Sequence, residues 1–316
     1  MSPTFAPASL VSRAAAEWRH SGDRLSAAVA VAVLAVWTFQ MVLAENASSD
    51  QDARQAEVSA AAQPRVKTSA PQREYVIAGY GGAPYTHPSD VHFGKPGVTD
   101  FTARNVNWEG RPFKSPIYYG IRTMAWSRSS PFGTMLDFTH SKTISQRAQE
   151  IELSGTRNGE RMPNRAKVDE VFRHLEFSHG HNTLVLNGLL RLADLAPRFG
   201  PYVGGGVGVA LPHTEVGFRD GQPRTYEYQY AGPAGQALVG IELRLPRVSL
   251  FLEYKFTIAH YQAPMTQRDG GWFPEDFLRQ LMGYWRDDVP AGGLLTTTLA
   301  SHQVASGLGV RFRPSP

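Results

Sequence analysis

From Tyr75 onward, apolar residues recur at every second position in eight runs, and the connections between the runs alternate short and long without exception. The runs cover roughly residues 75–85, 116–127, 132–143, 181–192, 200–212, 228–245, 247–262 and 297–312. A period of two is the strand period. The short connections are Arg128 to Pro131, Ala193 to Phe199, and Pro246 alone. The long ones hold about 30, 37, 15 and 34 residues, the pattern of a barrel with tight periplasmic turns and large outer loops. A soluble sandwich has no reason to sort its connections by length. Runs of about 10 to 16 residues also suit tilted strands crossing a bilayer. The expected fold is therefore all-β: an eight-stranded antiparallel transmembrane β-barrel that starts and ends on the periplasmic side.

The two faces of each run agree with this. Leu250, Leu252, Tyr254, Phe256 and Ile258 share one parity, and Glu253, Lys255 and Thr257 share the other. Ala237, Val239, Ile241, Leu243 and Leu245 oppose Glu242 and Arg244, and Leu184, Leu186, Leu190 and Leu192 oppose Asn187 and Arg191. Lipid outside and polar groups inside require such alternation. An eight-stranded barrel is just wide enough to be filled by side chains. Arg122, Asp137, Arg191, Glu242, Arg244, Glu253 and Lys255 are thus expected to plug the lumen, which argues against an open pore. The glycines of the run Tyr202 to Ala210 would give room to large side chains opposite or let the strand curve.

The composition fits. Hydrophobic residues make up 42% and charged ones 19%, as expected when membrane character is carried by alternation. Cysteine is absent, which excludes disulfides, cysteine metal sites and thiol chemistry. A formal charge of +4, scattered along the chain, gives no case for nucleic acid. No nucleotide-binding motif accompanies the glycine run. The one long apolar stretch, Leu25 to Ala44, follows Arg13, Arg19 and Arg24 and ends in small residues. It reads as a secretory signal cut after Ala44, with an uncleaved anchor as the alternative. The expected organisation is a signal over residues 1–44, a flexible linker over 45–73 and the barrel over 74–316.

The topology gives each residue a height. The nine histidines beyond His20 all fall at or above the outer rim. Two segments stand out: Asp137-Phe138-Thr139-His140-Ser141-Lys142 and Leu175-Glu176-Phe177-Ser178-His179-Gly180-His181-Asn182. They lie at the same end of two consecutive strands. His140, Glu176, His179 and His181 could there supply three imidazoles and a carboxylate to a divalent metal ion. Solvated rim residues are the plain alternative. In the fourth long loop, Phe277, Leu278, Leu281, Met282 and Trp285 have roughly helical spacing, which suggests a short amphipathic helix on the rim or the headgroups.

The runs GPYVGGGVGVA, FLEYKFT and GLGVRF resemble the eight-stranded outer-membrane β-barrel domain family over about residues 74–313. The two histidine segments, with Tyr118-Tyr119-Gly120-Ile121-Arg122, resemble the lipid A oxidase family of Gram-negative alphaproteobacteria over about 40 residues. That resemblance implies an outer-membrane enzyme whose partner is lipid A of lipopolysaccharide. It would oxidise the proximal glucosamine to 2-aminogluconate, with molecular oxygen as acceptor. Matched to the motifs, the expected catalytic residues are His140, Lys142, Glu176, His179, His181 and Asn182. Two rival readings stand beside it. One is a non-catalytic structural or adhesin-like barrel. The other is a lipid A deacylase, for which Ser178 and Ser301 lie next to His179 and His302. Oligomeric state is not legible in the sequence.

Overall fold

The computed structural model describes residues 73–313. The expected signal over 1–44, and the linker apart from its last residue, lie outside the described residues. Arg73, assigned to the linker, already opens the first strand.

Eight long strands form the barrel: β1 (Arg73–Thr86), β5 (Tyr119–Ser127), β6 (Phe132–Ser145), β10 (Phe172–Arg191), β11 (Phe199–Ala210), β14 (Gly232–Arg244), β15 (Val248–Pro264) and β16 (Leu294–Phe312). Between them lie shorter strands: β2 (Ser89–Lys95), β3 (Thr99–Val106), β4 (Trp108–Glu109), β7 (Glu150–Arg157), β8 (Glu160–Arg161), β9 (Arg165–Lys167), β12 (His213–Phe218) and β13 (Thr225–Tyr228). The long strands pair in chain order, all antiparallel, and β16 pairs with β1 to close the ring. Closure leaves the barrel wall without an edge. All eight expected membrane strands are present, their ends shifted by at most four residues except that β10 begins at Phe172, nine residues before the expected start. The sixth is shorter than expected, since Thr225–Tyr228 forms a separate strand.

Most outward residues at membrane depth are apolar and exposed. Ile77, Ile121, Leu186, Val207, Val239, Leu252, Ile258, Val304, Leu308 and Val310 are all exposed. A continuous apolar belt of this kind is stable only against lipid, which places the chain in the outer membrane as a closed barrel. On β6 and β10 the outward apolar residues run up to Phe138 and Leu184, and the next residues of that parity are His140 and Asn182, both buried.

The lumen at that depth is filled. Arg122 makes a two-pronged pair with Glu253 (Nη1–Oε2 2.8 Å, Nη2–Oε1 2.9 Å) and reaches Asp137 Oδ1 through Nε at 3.1 Å. Lys255 Nζ donates to Asp137 Oδ2 (3.2 Å), Thr139 Oγ1 (2.9 Å) and Tyr80 Oη (2.8 Å). Tyr80 in turn donates to Asp137, and Tyr202 to Glu253. The Arg122 guanidinium lies over the rings of Tyr80 and Phe251. Nearer the periplasmic mouth, Glu74 accepts from Arg191, Arg311 and Arg313. Arg244 departs from the expected plug: its guanidinium turns to Asp194 in the periplasmic turn. Large side chains fit because small ones face them. A Cβ on Gly120 would fall 1.8 Å from Tyr80 Cζ, and one on Gly206 would strike the Leu186 carbonyl oxygen at 2.0 Å. Within the glycine run, a Cβ on Gly204 would fall 2.5 Å from Leu189 Cδ2, so the run gives room to a side chain opposite, as expected, and at Gly206 it also lets two backbones approach closely.

The long connections are not open loops. β2 continues the sheet from β16, β3 pairs with β2 and β7 with β3, while β12 pairs with the outer half of β10. These strands enclose a second hydrophobic core containing Val91, Phe93, Phe101, Leu153, Phe172, Leu175, Phe177, Val216, Tyr261 and Leu295. It is separate from the cluster at membrane depth around Tyr80, Met124, Trp126, Tyr202 and Phe251.

The expected helix of the fourth loop spans Phe273–Trp285. Pro274 sits in its first turn and Glu275 and Asp276 face the positive end of its dipole. It is fixed to the neighbouring strand by polar groups. Asp276 is buried and accepts from the backbone N–H of Tyr228 (3.0 Å) and Gly271 (3.0 Å). Gln280 exchanges two bonds with the backbone of Tyr230. Leu278, Met282 and Trp285, spaced along one face, stay exposed. Asp276→Ala leaves two N–H groups without an acceptor, at a cost of about 1–3 kcal/mol. Hydrogen exchange at Gly271 and Tyr228 should then quicken markedly while the barrel strands stay protected.

Candidate functional site

Where the belt ends, β5, β6 and β10 bring three residues into one row on the outer wall. Tyr119 pairs with His140, and His140 with Asn182. The Tyr119 ring stacks on the imidazole, with centroids 4.8 Å apart and planes inclined by 20°. His140 Nδ1 lies 2.8 Å from Asn182 Oδ1, and Asn182 Nδ2 donates to the Leu211 carbonyl at 3.0 Å. That second bond fixes the amide orientation, so Oδ1 is the acceptor and His140 Nδ1 carries the proton. Nε2 is then the basic lone pair. It is buried and has no hydrogen-bond partner.

Above this row the wall continues into β12 and β13. His174 and Glu176 alternate on the outward face of β10, and Glu215 of β12 pairs directly with Glu176. His179 packs against His213 at 5.0 Å between centroids, and His213 stands edge-on to Tyr226 and Tyr228. Burial, and next the nearby His179, pushes the His213 imidazole down to about 4. His213 is therefore a neutral ring near pH 7, with Nδ1 buried and unpartnered.

The six residues expected from sequence thus separate into groups. His140 and Asn182 meet as described. Lys142 is on the same wall but is used to hold the first loop, its Nζ donating to the carbonyls of Lys114 (2.7 Å) and Ser115 (3.3 Å). His181 faces the other way. It pairs with Ser141 rather than His140, and its Nδ1 is bonded to the Tyr261 hydroxyl inside the outer core. Glu176 goes with His174 (3.0 Å), and His179 Nδ1 lies 3.7 Å from Glu215 Oε2. The expected metal set of His140, Glu176, His179 and His181 is therefore divided between the two faces of the wall. Among the described residues, the trio whose ligand atoms all lie within 4.8 Å of one another is His174, Glu176 and Glu215. His174 and Glu215 were not expected at a site. The His174-Leu175-Glu176 spacing was a readable signal, but Glu215 comes from a different loop.

The serines do not form a nucleophile relay. Ser301 bonds to Thr86, on the lumen side. Ser178 Oγ lies 3.3 Å from His179 Nδ1 and donates to Glu215 at 3.2 Å, so the carboxylate holds the hydroxyl and the near nitrogen, whereas a relay requires it at the far nitrogen of His179.

No family model matches the chain, and no curated protein does. Among solved structures, it is similar to Neisserial surface protein A at 10% identity and a TM-score of 0.34, over 76% of this chain and 97% of that one. It is similar also to Ail, the attachment invasion locus protein of Yersinia pestis, solved with the heparin analogue sucrose octasulfate. There the identity is 10% and the TM-score 0.30, over 77% of this chain and all of the other.

Proposed function

We propose that this outer-membrane barrel is an enzyme acting on lipid A, and that its reaction is oxidation at C1 of the proximal glucosamine. One observation carries the reading. A histidine with a fixed tautomer and an unpartnered, buried Nε2 has the outward parity of the wall, next to Phe138 at the end of the apolar belt, and is itself covered by protein. Lipid A sugars occupy that height in the outer leaflet. The motif resemblance at His140 and Asn182 points to the same chemistry.

In this reading His140 Nε2 takes the proton of the C1 hydroxyl. Two electrons and the C1 hydrogen pass to molecular oxygen, giving a lactone and hydrogen peroxide. Water then opens the lactone to 2-aminogluconate. Asn182 holds the imidazole by its Nδ1–H throughout, as a positioning residue. Tyr119 covers the ring and must yield to the sugar.

Mass spectrometry of lipid A from cells with and without the gene tests this. The species one oxygen heavier should appear only when the protein is present and oxygen is supplied. Identical lipid A in both strains would leave the non-catalytic barrel, with its structured outer strands as a binding surface, as the function.

A further inference from the structure

We propose that His174, Glu176 and Glu215 form a binding site for one divalent first-row transition-metal ion on the outer wall of the extracellular extension. The ligands are placed by backbone register. Glu176 and Glu215 are directly opposed across β10 and β12, and His174 stands two residues from Glu176 on the same face. His174 Nδ1 lies 3.0 Å from Glu176 Oε1 and 3.3 Å from Glu215 Oε1. The three ligand atoms converge within 4.8 Å, so bonds of about 2.0–2.2 Å to a central ion need only side-chain adjustment. The site is half-buried and open on one side, with side-chain exposures of 30%, 18% and 8%. An ion could therefore enter and keep an exchangeable position.

Chemistry narrows the class. Two carboxylates bring the charge that a dication needs, and the imidazole favours zinc, iron, nickel or copper over magnesium or calcium, which prefer oxygen alone. His179, with Nδ1 3.7 Å from Glu215 Oε2, is placed to contribute a fourth ligand. In this structure the excess negative charge is met by Arg224, whose Nη1 contacts Glu215 Oε1 at 3.2 Å. Arg224 also holds Asp269 at 2.7 Å and stacks over Tyr226, so it can release Glu215 without losing its place. The arginine and the ion compete for one carboxylate.

The inference stands apart from oxidation, because binding is read without lipid A. The full chain, refolded in detergent micelles and freed of metal by chelation, is titrated with zinc chloride by calorimetry. Copper is followed in parallel by electron paramagnetic resonance, with magnesium as control. One zinc ion per chain should bind. His174→Gln and Glu215→Gln should each weaken binding about 100-fold or more, the scale of losing an ordering group at a metal site or greater. Arg224→Gln should tighten it several-fold, since it removes a competitor and no ligand. That variant keeps the test decisive if a ligand variant fails to fold. No binding by the wild type would overturn the proposal. So would wild-type affinity in folded His174→Gln or Glu215→Gln, unchanged or weaker affinity in Arg224→Gln, or equal affinity for magnesium.

Discussion

Arg122→Ala should cost the barrel about 3–5 kcal/mol, the penalty for leaving buried charge uncompensated. In the wild type two cations, Arg122 and Lys255, face two anions, Asp137 and Glu253, and all four side chains are fully buried. Removing Arg122 leaves one cation for two carboxylates, and takes away both bonds that Glu253 receives from it. Tyr202 cannot replace them, since a phenol is not a charge. The loss is read as a lower urea midpoint in detergent and as a lower temperature at which the folded band disappears on a gel. Arg122→Met combined with Glu253→Gln keeps the remaining Lys255–Asp137 pair balanced. It should recover much of the loss, because the damage lies in the unpaired charge rather than in missing attraction. An Arg122→Ala barrel as resistant as the wild type would contradict the account of the plug.

His140→Ala should lower lipid A oxidation by about 100-fold or more, the usual worth of a positioned general base. The barrel should stay folded, because the residue lies beyond the belt and outside both hydrophobic clusters. Asn182→Ala should also reduce the rate, through the tautomer: without Oδ1 the imidazole can carry its proton on either nitrogen. His181→Ala separates the two faces of the wall. It opens the outer core beside Tyr261 and should lower stability with little direct effect on the chemical step. Rates are measured on purified protein with lipid A in mixed micelles. Full activity in folded His140→Ala would dismiss the base assignment.

The membrane strands were legible because each declares itself locally. Alternation within ten residues and a tight turn at one end are enough, as at Leu250 to Ile258. β2 and β3 also alternate, with Val91, Phe93, Phe101 and Ala103 facing inward, and a Pro-Gly turn joins them at Pro96 and Gly97. Between two much longer runs that signal reads as loop. The site was legible only in part, for a geometric reason. Placing His140 beside His181 assumes that neighbouring strands share faces, yet the register sets His181 opposite Ser141, just past an irregularity between Phe177 and His181. Whether two residues on different strands share a face depends on one residue of register. Glu215 depends on a pairing between two different long connections, which no local pattern announces.

The second hydrophobic core has a consequence for how the protein comes into being. Its strands lie on the far side of the bilayer from the turns, so each must pass through the membrane before Phe93, Phe101, Phe172 and Val216 can meet. The extension then closes only after delivery, outside the cell. His174 and Glu215, and Asn182 with its anchor at Leu211, are brought together by that last closure. Whatever the outer wall does begins at the cell surface and not before.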